Sequence, residues 1–298
     1  MSVPSAYLGV IIIWSTTPLA ILWSSEEVGF VFGVTSRMLI GAVLALIVCA
    51  LLGSGLKWHR KALLAYSAAA LGIFGGMISV YWAAQFIPTG WISVIFGLSP
   101  LFTALMASLW LEGERLTRSK VTGMLMGIAG LAIIFGTSFS LNDQAALGVL
   151  GMLVSVSIHC ASAVWIKRID AGVPAIVMTS GGLLFAAPLF LLSWIASDAE
   201  LPGDLSTRTI GAIGYLALLG SVLGFALYYY VLSKVEATRV ALLTLVTPLC
   251  ALGLGNILNN EPLTFEIIAG SMLILSGLAT FEFSEKAAGR IRARILRY

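Results

Sequence analysis

Between Tyr81 and Leu131 the chain reads YWAAQFIPTGWISVIFGLSPLFTALMASLWLEGERLTRSKVTGMLMGIAGL, and much of this pattern returns between Tyr229 and Leu278. The repeated pairs are Tyr81 and Tyr229, Pro100 and Pro248, Glu114 and Glu261, Leu116 and Leu263, Thr117 and Thr264, Gly123 and Gly270, and Gly130 and Gly277. The copies are 148 residues apart up to the prolines and 147 apart from the glutamates onward, so one deletion between them restores the register. We infer an internal duplication of the chain.

Composition places the duplicated halves in a membrane. Charged residues make up 10% of the chain and hydrophobic residues 59%, whereas a soluble domain carries about 25% charged residues. Such a chain could not cover a water-facing surface. A β-barrel would alternate polar and apolar residues along each strand, and the long apolar runs here do not. The sequence therefore predicts an all-α integral membrane protein.

Apolar stretches close to the roughly 20 residues that cross a bilayer recur along the whole chain. They predict ten transmembrane helices, at 5–23, 30–52, 63–83, 89–111, 119–138, 147–167, 174–196, 209–233, 238–259 and 266–284. The first five form one repeat within 1–140, the last five form a second repeat at 147–284, and a basic tail follows at 285–298. Duplicated bundles of this kind are the construction of many secondary transporters.

The distribution of lysine and arginine orients the ten spans. With a cytoplasmic N-terminus, fifteen of the 17 basic residues fall on the cytoplasmic side, Arg208 is external and Arg37 lies inside span 2. Because basic residues are enriched in cytoplasmic loops, we expect both termini in the cytoplasm and the protein in the plasma or inner membrane. Five spans per repeat is an odd number, so the second repeat must be inverted. The loop with Glu114 is then cytoplasmic and its copy with Glu261 external.

This pattern resembles the EamA-type families of the drug/metabolite transporter superfamily, and the resemblance covers essentially the whole chain. The matching residues are Trp14 and Ser15 in span 1, Arg37 in span 2, and the series from Tyr81 to Gly130 with its copy. The resemblance implies a carrier of two inverted five-helix repeats. It also implies small organic solutes, most often amino acids or related metabolites, and frequently export. It does not reach to a particular substrate.

Prolines and polar residues inside the spans mark a candidate substrate cavity. Pro100 and Pro248 occupy equivalent places in spans 4 and 9, and paired helix interruptions point to a site at the bilayer midplane. The alternative is that both prolines only shape the bundle. Trp14, Ser15 and Thr17 form a polar and aromatic cluster in span 1, where we expect a cavity wall.

Arg37 and His159 lie well inside their spans. A charge as deep as Arg37 costs at least about 2.5 kcal/mol, so it should face the bundle or water and find a partner. Backbone carbonyls or a substrate carboxylate could serve, because no aspartate lies inside any predicted span. His159 shares a helix face with Ser155 and Ser162. Its alternatives are packing, substrate contact, or proton coupling.

Tyr81 and Tyr229 lie near predicted helix ends, where aromatic residues usually anchor a helix at the membrane interface. The alternative is an aromatic rim around the cavity, and both residues are cavity candidates on that interpretation. For Glu114 and Glu261 we expect a structural role. Each could accept backbone N–H bonds from the start of the helix that follows it.

Known catalytic signatures are missing from the sequence. It contains no P-loop, no H-E-x-x-H, no G-x-S-x-G and no T-V-G-Y-G motif, which disfavours an ATPase, a zinc protease, a serine hydrolase and a potassium channel. We therefore expect no enzymatic activity, no cofactor and no metal site. The basic tail is expected to bind anionic lipid rather than nucleic acid. A flippase for a lipid-linked intermediate remains the alternative to a metabolite carrier, and the coupling ion and oligomeric state stay open.

Overall fold

The structure is a computed structural model that describes residues 2–111, 117–141, 144–197, 201–235, 247–277 and 279–280. Its helices are α1 Val3–Ser25, α2 Phe30–Leu51, α3 Arg60–Ala83, α4 Thr89–Phe96, α5 Ser99–Trp110, α6 Arg118–Leu141, α7 Ala145–Ile169, α8 Ala175–Ala196, α9 Thr207–Tyr215, α10 Gly224–Lys234, α11 Thr247–Asn259 and α12 Phe265–Gly277. A π-helix, Leu216–Leu223, joins α9 to α10. Among the described residues the regular structure is helical.

Each of the ten predicted spans coincides with helix in the described part of the chain. Span 4 consists of α4 and α5, span 8 consists of α9, the π-helix and α10, and span 9 is described from Thr247 onward. Seven spans within the described residues are long and apolar enough to cross a membrane. The predicted all-α membrane fold is confirmed. Glu114, residues 238–246 and the tail at 285–298 lie outside the described residues.

Helix contacts follow the duplication. The α3 helix packs on α7, and the equivalent pair, α1 with span 8, is also in contact. The α2 helix packs on its own equivalent α8, and α4, the first segment of span 4, packs on α11 in the equivalent span 9. A two-fold relation between the halves produces both kinds of contact: pairs of helices that occur twice, and helices that pack on their own equivalent.

Repeated glycines join the two halves where α6 meets α12. A Cβ atom at Gly130 would lie 2.5 Å from the carbonyl oxygen of Gly270, and one at Gly277 would lie 2.8 Å from that of Gly123. Small residues allow helix backbones to approach this closely in lipid. Because the earlier glycine of one helix meets the later glycine of the other, these equivalent helices run antiparallel. The second repeat is therefore inverted relative to the first.

Serine hydroxyls bind α7 to α3. Ser155 donates a hydrogen bond to the Gly76 carbonyl oxygen at 2.8 Å, and Ser162 donates to the Ala68 carbonyl oxygen at 2.7 Å. Gly72 lies directly against Ser162 and leaves no space for a side chain. The polar face predicted for α7 therefore has two roles. Its serines, Ser155 and Ser162, hold the two halves together, whereas His159 lines a cavity.

The loop after α1 is connected to the start of α9. Arg208 Nη2 lies 2.6 Å from Glu26 Oε2, and Glu27 Oε2 accepts hydrogen bonds from Thr209 Oγ1 at 2.8 Å and from the Ser206 N–H at 3.2 Å. The hydrogen bonds from Thr209 and Ser206 hold the pKa of the Glu27 carboxyl below its ordinary value. On the predicted orientation, this carboxylate ties spans 1 and 8 together at the outer surface.

Cysteine labelling tests the orientation of the two halves. Thr117 and Thr264 are equivalent, exposed positions in the two repeats, so Thr117→Cys and Thr264→Cys form a matched pair in a background without Cys49, Cys160 and Cys250. We expect an impermeant thiol reagent to label Thr264→Cys in intact cells and Thr117→Cys only after permeabilisation. Equal labelling of both from outside would contradict the inverted topology.

Candidate functional site

A cavity lies between the two halves. The first half contributes Trp14 and Thr17 from α1 and Arg37 from α2, and the second half contributes His159 from α7 and Thr247 from α11. The cavity holds about 620 Å³ of space free of protein atoms, counting its open mouth. Its lining combines a few polar side chains with a largely apolar surface, as in sites that bind small organic ligands.

Arg37 is buried at the wall of this cavity, with 2% of its surface exposed. Its Nε donates to Ser221 Oγ at 3.0 Å, and its Nη1 donates to the Tyr81 hydroxyl at 3.5 Å. The guanidinium carbon also lies 5.9 Å from the centre of the Tyr81 ring. Within the described residues no carboxylate contacts Arg37, so neutral hydroxyl groups orient the charge without compensating it.

The π-helix supplies the second-half surface next to Arg37. Its residue Ser221 accepts the Nε hydrogen bond, and a Cβ atom added at Gly220 would lie 2.9 Å from Arg37 Nη2. π-helical turns are rare and frequently occur at functional sites. The sequence carried no signal for this local structure.

Four aromatic rings form a cluster at the cavity, which we call the ring cluster: Trp14, Phe96, His159 and Tyr228. The Trp14 ring centre lies 6.0 Å from those of Phe96 and His159 and 5.4 Å from that of Tyr228, and the His159 ring lies 5.2 Å from both Phe96 and Tyr228. In the described part of the chain, the His159 imidazole makes no hydrogen bond. Its ring nitrogens are therefore available to a substrate.

Span 4 is interrupted beside the cavity. The α4 helix ends at Phe96, and α5 begins at Ser99 with Pro100 in its first turn. Pro248, the equivalent residue of span 9, lies in α11 directly after Thr247, where the described part of that helix begins. Proline is tolerated in a first turn because it removes no intrahelical hydrogen bond there. Pro100 therefore marks a helix start near the cavity, and neither proline is among the lining residues.

The predicted site residues separate into two groups. The cavity is lined by Trp14, Thr17, Arg37 and His159. The remaining candidates, Ser15, Tyr81, Pro100, Tyr229 and Pro248, lie outside its lining.

Three of these residues have other identified surroundings. Ser15 donates to the Ile11 carbonyl oxygen of its own helix at 2.7 Å. Tyr81 is fully buried and contacts Arg37, so it supports the cavity wall rather than anchoring a helix at the interface. Tyr229 lines a separate recess with Lys167 and Asp170.

Sequence reasoning missed several lining residues, among them Ser93, Phe96, Gly220, Phe225 and Thr247. Ser93 and Phe96 lie within two turns before Pro100, and Thr247 directly precedes Pro248. The paired prolines were therefore a usable signal for these three positions. Gly220 and Phe225 depend on the path of the π-helix, which the sequence pattern does not indicate.

Glu261 caps a helix of the opposite half. Its carboxylate accepts hydrogen bonds from the Thr89 N–H at 2.9 Å, the Thr89 hydroxyl at 2.7 Å and the Gly90 N–H at 3.1 Å. The prediction that Glu261 accepts hydrogen bonds from the start of the next helix, α12, was therefore wrong. The α4 helix has no side-chain cap of its own after Pro88, and the free N–H groups of a helix start attract a carboxylate.

The family is decided by comparison with known proteins. Residues 3–136 and 146–282 match the model of the EamA-like transporter family. The chain belongs to the EamA-like transporter family. Members of this family are transporters of the drug/metabolite transporter superfamily, and the chain is a multi-pass membrane transporter rather than an enzyme.

Individual relatives agree with this assignment. The chain is 33% identical over 236 residues to an uncharacterized transporter of Archaeoglobus fulgidus, covering 76% of this chain and 80% of the relative. It is 25% identical to a "probable amino-acid metabolite efflux pump" of Salmonella typhimurium, covering 73% of this chain and 76% of that protein. A "probable terminal-alkyne amino-acid exporter" of Streptantibioticus cattleyicolor is 24% identical, covering 87% and 90%.

A solved crystal structure shares the fold. It superimposes with a TM-score of 0.71 at 22% identity and covers 94% of this EamA-like chain and 97% of its own.

Removal of the Glu261 cap should destabilise the protein. Glu261→Ala leaves the Thr89 and Gly90 donors unpaired in a buried site, and we expect a loss of about 1–3 kcal/mol. Glu261→Gln retains an acceptor oxygen but loses the charge, so its loss should be smaller. Thermal unfolding in detergent measures both effects.

Glu266→Ala is the matched control for this cap. Glu266 lies five residues further along the chain and is exposed. Its carboxylate accepts hydrogen bonds from Thr264 and from its own N–H, but its exposure should make the loss clearly smaller than for Glu261→Ala, since exposed substitutions have small effects. Equal losses for Glu261→Ala and Glu266→Ala would contradict the capping role.

Proposed function

We propose that this protein is a secondary transporter that moves small organic metabolites such as amino acids across the membrane, most often outward. The substrate binds in the cavity between the inverted halves, and movement of one half against the other exposes it to each side in turn. The observation that carries the proposal is the cavity itself, because both halves supply its wall and it contains polar groups in a largely apolar bundle.

The geometry supports alternating access in one specific way. Arg37 of the first half is bonded to Ser221 of the second half, so the cavity wall crosses the boundary between the two moving parts. A substrate held between them can favour whichever arrangement it contacts better. A carrier must bind its substrate with similar affinity in both arrangements, since a strongly preferred state would stop the cycle.

Amino acids and related metabolites are proposed as substrates on two grounds. Relatives from Salmonella typhimurium and Streptantibioticus cattleyicolor carry names that refer to amino-acid efflux or export. The cavity also presents groups suited to such solutes, since Arg37 is a cation and Trp14 and Phe96 provide apolar ring surfaces.

Location and architecture complete the proposal. We place the protein in the plasma or inner membrane with both termini in the cytoplasm, on the basis of the lysine and arginine distribution. The two functional halves are 1–140 and 147–284. The basic tail at 285–298 is proposed to contact anionic lipid headgroups.

A flippase for a lipid-linked intermediate is the second candidate function. The observation that favours it is a second, apolar recess between α1, α9 and α11, which is lined by Leu19, Trp23, Leu254 and Leu258 among others. A lipid tail could occupy such a recess while a polar headgroup crosses through the bundle. This candidate predicts transport of a lipid-linked sugar rather than of a free metabolite.

Counterflow in liposomes distinguishes the two functions. We expect reconstituted protein, preloaded with unlabelled solute, to accumulate at least one labelled amino acid or related metabolite from a panel, because a carrier exchanges its substrate across the membrane. Protein-free liposomes are the control. Absence of exchange for the whole panel, together with translocation of a lipid-linked sugar, would replace the carrier by the flippase.

A pH gradient tests whether protons drive transport through His159. Proton binding at this imidazole during the cycle predicts that an imposed pH gradient changes the counterflow rate and that His159→Gln loses this response. The glutamine keeps hydrogen-bonding capacity but does not titrate. The exposed His59→Gln variant is the control. An unchanged response in His159→Gln would remove His159 from coupling.

A further inference from the structure

The charge of Arg37 is not balanced within the cavity. A guanidinium has five N–H donors, and in the described residues hydrogen bonds account for two of them, to Ser221 and Tyr81. Both partners are neutral hydroxyls. A buried charge that lacks a counter-ion is costly, so the site favours any ligand that brings a negative charge to the guanidinium.

The guanidinium packs against a glycine. Gly220 of the π-helix lies next to Nη2, and even one added carbon there would come within 2.9 Å of it. A side chain at this position would displace the guanidinium from the cavity wall to which it belongs. Carboxylates pair well with this group, because its planar donors match their two oxygens.

The rest of the cavity wall is apolar. Ile92 and Val80 lie on it together with Phe225 and the rings of Trp14 and Phe96. Aromatic and branched groups gain both buried area and ring contacts on such a surface. The polar and apolar parts of the wall therefore suit a ligand with one charged end and one apolar end.

No acidic side chain is among the described residues that line the cavity. The ammonium group of an amino acid would find hydroxyls and ring faces there, but no carboxylate partner. An amino-acid zwitterion has no net charge, so the cavity with its ligand would keep the net positive charge of Arg37. A monocarboxylate brings a net negative charge and makes the occupied cavity neutral. The ammonium is therefore not needed for recognition.

We propose that this cavity recognises a monocarboxylate with an aromatic or branched apolar group, whose carboxylate binds Arg37 and whose apolar group packs beside Trp14 and Phe96. This inference rests on the proposed carrier function and specifies its substrate class. Amino acids with such side chains remain substrates because they carry the same carboxylate. Arg37 is then the residue that determines specificity.

Three ligands of one shape test the proposal: 3-phenylpropanoate, its neutral amide 3-phenylpropanamide, and L-phenylalanine. Binding to the full-length protein in detergent is measured by ligand-dependent thermal stabilisation, which grows with ligand concentration over Kd. We expect 3-phenylpropanoate to bind at least about 10-fold more tightly than the amide, because hydrogen bonds between charged groups are strong, and at least as tightly as L-phenylalanine.

Variants test whether Arg37 causes the preference for the acid over the amide. We expect Arg37→Gln to bind acid and amide within about 2-fold of each other, and Gly220→Ala to reduce the preference while keeping the charge. Arg208→Gln removes an exposed arginine outside this cavity and should keep the wild-type preference. If Arg37→Gln does not fold, the wild-type ligand series and Gly220→Ala decide the question.

The outcomes separate this inference from the carrier function. Equal binding of acid and amide by the wild type overturns the role of Arg37 even if counterflow occurs. Tight binding of L-phenylalanine without binding of 3-phenylpropanoate overturns the claim that the ammonium is dispensable. Carboxylate-selective binding without counterflow of any bound ligand supports the recognition site but removes the carrier function.

Discussion

Close backbone contact between helices is the constraint on which this architecture depends. Lipid tails are as apolar as leucine side chains, so helices in a bilayer gain little from burying apolar surface and rely on tight packing instead. The contacts of Gly130 with Gly270 and of Gly72 with Ser162 meet this need between the halves. These glycines fix an antiparallel arrangement, and the cavity is the space left where the remaining helices separate.

Arg37 is the one cation among the described residues that line the cavity, and it sets the charge of this wall. Hydroxyl groups from both halves, Tyr81 and Ser221, hold its side chain in place, and Gly220 packs closely against its guanidinium. Trp14, Phe96 and His159 of the ring cluster line the same cavity, and His159 packs on its aromatic neighbours without a hydrogen bond in the described residues. Charge and aromatic surface thus lie in one chamber, which is an unusual combination inside an apolar bundle.

Patterns of composition and repetition made most of the fold predictable. Span positions follow from apolar length, and the inversion follows from the odd number of spans per repeat together with the distribution of lysine and arginine. Trp14, Thr17, Arg37 and His159 were found because polar and aromatic residues are conspicuous inside apolar helices. Contacts between site residues that lie far apart in the sequence could be identified only from the structure.

Glu261 illustrates this limit, since its carboxylate lies near the start of α12 in sequence and binds the start of α4 in space. The π-helix is a second case, because neither Gly220 nor Ser221 differs from ordinary helix residues in type. For Tyr81 the sequence allowed an anchor at the membrane interface or an aromatic rim of the cavity, and the fold buries it against Arg37.

The link between Glu261 and the start of α4 has a mechanical consequence. It fastens the first segment of span 4 to the end of span 9 in the opposite repeat, so these two pieces must travel as one rigid body while the bonds persist. Any relative displacement of the repeats then has to be absorbed elsewhere along span 4. The turn at Gly97 and Leu98, where the Leu98 N–H donates to the Ile95 carbonyl oxygen in a tighter i→i−3 bond between α4 and α5, is a natural hinge for that displacement.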